Sequence, residues 1–189
     1  MDLKQTIIDL LRDTGRPGIE DLIEAMDAGG FFEAPCSTQY HLSGTGGLAE
    51  HSANVYQTML TLDLKLKAKL PRNSIIICGL LHDLGKMGDH GKPNYVDNIL
   101  KSGKQSESKP YITNPALAYL PHEVRSVMIA ERYIDLTEEE EQAILWHNGL
   151  YGAFKYDIQG KETPLYMILH WADMWASRVI EKENEGKEE

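Results

Sequence analysis

An apolar run, Ile75 to Leu81, ends abruptly on an imidazole and a carboxylate, His82-Asp83, inside the stretch Gly79 to Lys86, GLLHDLGK. Any fold for this chain must accommodate a metal-friendly pair at the polar end of an apolar segment. Neutral histidine is a good nitrogen ligand for transition ions, and aspartate adds a charged oxygen with a second oxygen left to bridge. A lone His-Asp pair is common by chance. Here His51 lies upstream in GGLAEHSANV, and His122, His147 and Asp173 lie downstream, each in a helical context. These residues can together surround one dinuclear metal centre.

The remaining pattern is mostly helical and reads as one all-α domain over residues 1–189. Leu3, Ile7, Leu10 and Leu11 form an apolar stripe that stops near Gly15 and Pro17, and Ile19 to Met26 is a second short helix. Phe31 to Gly46 reads as a loop. A long helix is expected from about Gly47 to Leu70, broken by Pro71. Asn73 or Ser74 can cap the next helix, with His82-Asp83 near its C-terminal end. Residues 87–114 differ in character, rich in Gly, Lys, Ser and Pro, and predict a β-hairpin or lid with short strands at Tyr95 to Leu100 and Tyr111 to Thr113. Helix resumes from Pro115 or Pro121 to Tyr133. Thr137 opens another helix with Glu140 as a capping-box partner, and Thr163-Pro164 opens the last, through Asp173 to about Ile180.

The formal net charge of −10 disfavours non-specific nucleic-acid binding, which needs clustered cations, but not a small anionic substrate. Part of the acidity reads as solvated: Glu138 to Glu141 at a helix start, and 181–189 as a frayed tail. No apolar run is long enough to span a membrane and the N-terminus does not read as a signal peptide, so a cytoplasmic location is expected. Cys36 and Cys78 make no disulfide framework; Cys78 reads as a buried thiol, and Cys36, though able to ligate, is an isolated cysteine of the kind that usually does not.

His51 and His82-Asp83 fall on successive helices, so packing can converge them, with Asp173 closing the first site. His122 and His147 can hold a second ion if Asp83 bridges. Two ions about 3.5–4 Å apart can bind a hydroxide between them and clamp a phosphoryl oxygen. Each residue has a plainer reading when taken singly. His147 precedes a helix stop and can simply interact with the helix dipole, and Asp173 can pair with a cation.

The ordered series His51, His82-Asp83, Asp173, set in GGLAEHSANV, LLHDLGK and HWADMWASR, resembles the HD-domain superfamily of metal-dependent phosphohydrolases over roughly 46–178. The resemblance implies an all-α HD-domain helical bundle with a buried metal site and hydrolysis of phosphate esters by metal-activated hydroxide. It implies His51, His82, Asp83 and Asp173 as the first-metal set. The added His122 and His147 are similar to the dinuclear branches, exonuclease-like or phosphodiesterase-like, which implies two divalent transition ions (Mn, Fe, Ni, Co or Zn). The GYP signature of the cyclic-dinucleotide branch is absent.

Asp83 and Lys86 are thus the expected catalytic residues. Lys86, one turn beyond Asp83, is placed to hold a substrate phosphate, or else caps a helix end. His41, Lys86 and Arg178 are candidate substrate contacts, with Arg178 otherwise paired to Glu181 or Glu183. His90 and Lys92 lie in the lid, and His170 can orient a ligand from behind. Trp146, Trp171 and Trp175 read as core. The expected substrate is a nucleotide or similar small phosphate ester. Two alternatives remain open: a di-iron oxygenase of the inositol oxygenase type, which has the same ligand types, and a non-catalytic nucleotide-binding metal module.

Overall fold

Amphipathic spacing builds the first two helices of the computed structural model, which describes residues 2–40, 42–152 and 155–182. Ile7 and Leu11, one turn apart, are buried on α1 (Leu3–Asp13), and α2 (Ile19–Ala28) buries Ile19, Leu22, Ile23 and Met26. α3 (Gly47–Leu66) is shorter than expected. It ends where Lys67 turns left-handed (φ 55°) and Asp63 accepts the backbone N–H of Leu70 at 2.9 Å.

The apolar run becomes α4 (Arg72–Leu81), buried at every position from Ser74 to Leu81. It is the central helix, touched by α1 and α3 and by the later helices. Its N-cap is Pro71 rather than Asn73 or Ser74; the Asn73 amide instead donates to the Thr14 carbonyl at 2.9 Å. Helix α4 also stops one residue before the His-Asp pair. His82 is its C-cap, and Asp83 joins it to a 3-10 turn (Leu84–Met87) in the sparsely populated bridge conformation, φ −104° and ψ 13°. Gly79 is where α3 crosses closest: a Cβ there would stand 2.8 Å from the Tyr56 Cα.

Residues beyond the 3-10 turn form two small antiparallel pairs. β1 (Gly88–Asp89) pairs with β2 (Lys92–Pro93), and β3 (Tyr95–Asp97) pairs with β4 (Tyr111–Thr113) in the register Tyr95↔Thr113. The expected insertion is therefore present, with a first hairpin that the sequence pattern did not separate. Asp89 anchors it to the bundle through a two-pronged ion pair with Arg132 (2.8 and 2.6 Å).

Three helices complete the bundle: α5 (His122–Ala130), α6 (Glu138–Trp146) and α7 (Pro164–Trp175), with α7 packed on α3 and α6. α6 opens with the full capping box, Thr137 and Glu140 each accepting the other's backbone N–H. Glu140 corrects the solvated reading of the acidic run. It is fully buried, because its second oxygen takes a 2.5 Å bond from Arg16. α7 opens with Pro164 after the Thr163 cap and buries Leu165, Ile168, Leu169 and Ala172. Trp171 and Trp175 lie on the opposite side and are exposed (38% and 56%), so they are not core; only Trp146 packs against it.

Glu140 has two tasks and Thr137 one. Thr137→Ala is expected to lower unfolding free energy by about 1 kcal/mol, the usual value of a cap. Glu140→Ala also strands the mostly buried Arg16 and is expected to cost about 3–5 kcal/mol. Urea denaturation of both variants measures the difference, and equal losses would contradict it.

Candidate metal centre

Five helices deliver their ends or faces to one point. His51 comes from the first turns of α3, His82 and Asp83 from the end of α4, His122 from the first residue of α5, His147 from the C-cap of α6 and Asp173 from α7. All the residues expected to gather around metal do gather. Asp83 stands in the middle, 1% exposed. Its Oδ2 is 3.5 Å from the Nε2 atoms of both His51 and His82, while Oδ1 is 3.2 Å from His122 Nε2 and 3.4 Å from His147 Nε2. Asp173 Oδ1 closes the first side at 3.2 Å from His51 Nε2.

Orientation is set from behind. His51 Nδ1 donates to Glu181 Oε1 (2.8 Å), His82 Nδ1 to the Gly79 carbonyl (3.1 Å), and His147 Nδ1 to the Ile144 carbonyl (2.7 Å). His122 Nδ1 faces Glu123 Oε2 at 3.2 Å. Carbonyls and carboxylates only accept, so Nδ1 carries the proton in His51, His82 and His147, and all four rings turn Nε2 inward. For His82 and His147 the acceptor is the carbonyl three residues back, one of those left open at a helix C-terminus. The reading of His147 as a helix-end residue and its reading as a ligand are thus both satisfied by one geometry.

Gly85 explains the close approach of α5. A Cβ there would meet the His122 carbonyl at 2.3 Å and Arg125 Cβ at 2.8 Å. Its N–H donates to Ser126 Oγ (2.8 Å), which in turn donates to the His122 carbonyl (2.8 Å). The glycine of HDLGK therefore lets His122 reach Asp83.

Charge balance supports cation binding. Burial opposes ionisation of Asp83, yet the nearby Lys86 ammonium and the imidazoles hold its pKa well below the usual carboxylate range. Burial drives His82 down to about 3, with His147 and His51 adding to that effect against Asp83. His51 and His147 move the other way. Burial works against their charge but is outweighed, by Cys36, Asp173 and Glu181 at His51 and by Asp83 at His147, so both are raised above 6.5. A divalent cation at the inward Nε2 atoms would compete with protons for these two rings. Asp83 Oδ1 is buried without a hydrogen bond of good geometry, although two imidazole nitrogens face it. Mixed N/O donors around such an atom fit a transition ion. Three sets have ligand atoms within 4.8 Å of one another: His51, His82 and Asp173; His82, Asp83 and His147; and Cys36, His51 and Asp83.

Lys86 Nζ lies 2.7 Å from Asp83 Oδ2, so it is an ion-pair partner of the carboxylate rather than a helix cap. A hollow of 160 Å³ beside Asp83 is lined by Lys86, His147, Asp173 and Arg178. The Arg178 guanidinium sits over the Tyr151 ring at 5.5 Å; Glu183 lies outside the described residues. Tyr151 and Asn148 also line a larger cleft of 790 Å³ on the far side of His122, which runs to Tyr95, Thr113, Tyr119 and Arg125. Asn148 Nδ2 lies 3.2 Å from His122 Nε2. His41 lies outside the described residues. His90 and Lys92 line a separate hollow with Arg132, and Lys92 donates to the Ala116 carbonyl (2.8 Å); neither belongs to the cluster. His170 Nδ1 donates to the His147 carbonyl at 2.7 Å.

Sequence reasoning missed Glu181 and placed it in a frayed tail. It is fully buried, and it grips His51 from the nitrogen opposite Asp173. A π-type turn (Ala176–Ile180) separates the two acids, resetting the helical phase so that one helix clasps both edges of one ring. Uniform 3.6-residue spacing does not forecast that.

A family model, HD domain, matches residues 48–176, well over half of the chain. The protein belongs to the HD-domain superfamily of metal-dependent phosphohydrolases. Proteins with this domain bind divalent metals, and the phosphohydrolases among them act on small phosphorylated substrates. No curated protein and no solved structure matches the chain significantly. Among the described residues, no helix is long and apolar enough to cross a membrane.

Two measurements probe this geometry. His51 and His147 hold protons more tightly than a free imidazole, so a divalent ion competes with those protons; affinity is expected to rise as pH rises and to fall on acidification. Calorimetric titration at several pH values reads this, and pH-independent affinity would refute it. Glu181→Ala removes the acceptor behind His51 and is expected to lower metal affinity about 10–100-fold, with Glu181→Gln restoring part of it.

Proposed function

We propose that this chain is a dinuclear phosphohydrolase that cleaves a phosphate ester of a nucleotide. The observation carrying this reading is the shared orientation of four imidazoles: each turns Nε2 toward Asp83, three of them held by a hydrogen bond through Nδ1 and the fourth, His122, with Nδ1 facing Glu123. Rings that served only to fill the core would have no reason to face one carboxylate together. His51, His82, Asp83 and Asp173 would hold one ion, and Asp83, His122 and His147 the other. Ions bound there supply Lewis acidity toward a phosphoryl oxygen and lower the pKa of water.

The chain's own groups do the rest. Asp83 has oxygens directed to both sides, which no imidazole can match. Its negative charge is balanced by Lys86, which also lines the hollow beside it, so the ammonium is placed to meet an incoming phosphate oxygen. Arg178 offers a second cation on the wall of the same hollow. His122, at 28% side-chain exposure, is the most open of the four imidazoles and lines the larger cleft, which shares Asn148 and Tyr151 with the hollow. That cleft, with tyrosines and amides in its walls, has the size usual for a small-molecule site and suits a nucleoside. The ester bond would then lie near Asp83, with its organic group beyond His122.

Purified protein screened with divalent transition ions against nucleotide phosphate esters tests the reading by phosphate or nucleotide release. No turnover with any ion would overturn it; oxygen consumption on a polyol by iron-loaded protein would move it to the oxygenase class. Asp83→Ala removes a ligand from both sides and is expected to lower kcat by about 10³-fold or more. His122→Ala removes one donor at the open edge and is expected to lose about 10–100-fold. Equal full activity in both would refute these roles.

A further inference from the structure

The two cysteines are both buried, but in different company. Cys78 sits in the hydrophobic core among the isoleucines of α4. Cys36 is also 0% exposed, yet it is not part of that core. It lies on the segment between α2 and α3, which backbone bonds stitch to the start of α3: Cys36 N to the Leu42 carbonyl (3.0 Å), Gly46 N to Glu33 (3.0 Å) and Leu48 N to Ala34 (3.0 Å). The stitching brings Sγ to the ligand cluster, where Sγ and ligand atoms of His51 and Asp83 all lie within 4.8 Å of one another. Lys86 Nζ lies 3.8 Å from Sγ while holding Asp83 Oδ2 at 2.7 Å. A cysteine serving as a small hydrophobe would have apolar neighbours. This one has an imidazole, a carboxylate and an ammonium.

We propose that Cys36 is a thiolate donor to the ion on the His51–Asp83 side, giving that position a mixed nitrogen, oxygen and sulfur ligand set. The proposal rests on the metal reading above and adds to it a choice of metal. A thiolate is a soft ligand, so its presence favours zinc, cobalt or iron(II) over manganese and magnesium, which prefer oxygen. The bond forms between Sγ and the cation, and the thiol proton passes to solvent; no electrons are transferred. Burial pushes the Cys36 thiol up against the pull of His51 and Lys86, so the proton leaves as the cation binds rather than before it.

Cobalt(II) titration of the metal-stripped full-length protein tests this by absorption spectroscopy. Wild-type protein is expected to develop a sulfur-to-cobalt charge-transfer band in the near ultraviolet. Cys36→Ser and Cys36→Ala should lose the band while still taking up cobalt through His51, His82, Asp83 and Asp173, and Cys78→Ser should keep it. Cobalt affinity relative to manganese should fall on the order of tenfold in the Cys36 variants, comparable with the loss of a ligand's partner. Wild-type protein that binds cobalt without the band, or a band that survives Cys36→Ser, overturns the assignment and leaves the metal reading intact. Wild-type protein that binds no cobalt overturns both.

Discussion

The Asp83 carboxylate is the constraint around which the bundle is arranged. An ionised carboxylate removed from water is costly unless charge and hydrogen-bond partners come with it. Lys86 supplies one compensating charge directly, and four imidazoles supply polar edges on both sides. None of these partners except His82 and Lys86 is near Asp83 in sequence. The rest must be carried in by helices, so the burial of one residue dictates where α3, α5, α6 and α7 come together. Helices α3, α6 and α7 are held in that arrangement by apolar packing against α4, whose sides are all covered, and α5 by packing on the 3-10 turn and α6.

Helix ends are used as parts of the site. A helix C-terminus leaves carbonyls open, and His82 and His147 each satisfy one through Nδ1. The same bond that finishes the helix fixes the ring's tautomer and directs Nε2 inward. His122 begins a helix instead, and the first turn of that helix can lie against the 3-10 segment only because residue 85 has no side chain. His51, within a helix, has no such free carbonyl, and the protein supplies carboxylates on both of its nitrogens from the end of α7 and the turn after it. Each imidazole is thus oriented by whatever its local backbone leaves available.

Much of this was legible from residue order. The apolar run, the capping residues Thr137 and Thr163, and the glycine and proline breaks foretell most helices and the insertion at 87–114, because these are local effects of spacing and backbone preference. The metal-ligand candidates were legible because His and Asp in helical settings are few and distinctive. Glu140, Glu181 and the two exposed tryptophans were misread for a common reason. Composition assigns acids to water and tryptophans to the interior, but burial depends on what lies opposite. Arg16 and His51 lie opposite Glu140 and Glu181, whereas Trp171 and Trp175 project away from the packed face of α7.

By itself the sequence determined most of the helices, the all-α fold class and the types of ligand available, since those follow from periodicity, turn chemistry and the identity of a few side chains. Only the tertiary structure decided that Asp83 faces two groups of imidazoles at once, that Glu181 rather than solvent meets His51, and that Cys36 stands among charges rather than in the core. These depend on contacts across more than a hundred residues in the case of His51 and Glu181 (|i−j| = 130), and on a helical phase reset by one wide turn. No local preference encodes such distances; they emerge when the apolar faces are packed together.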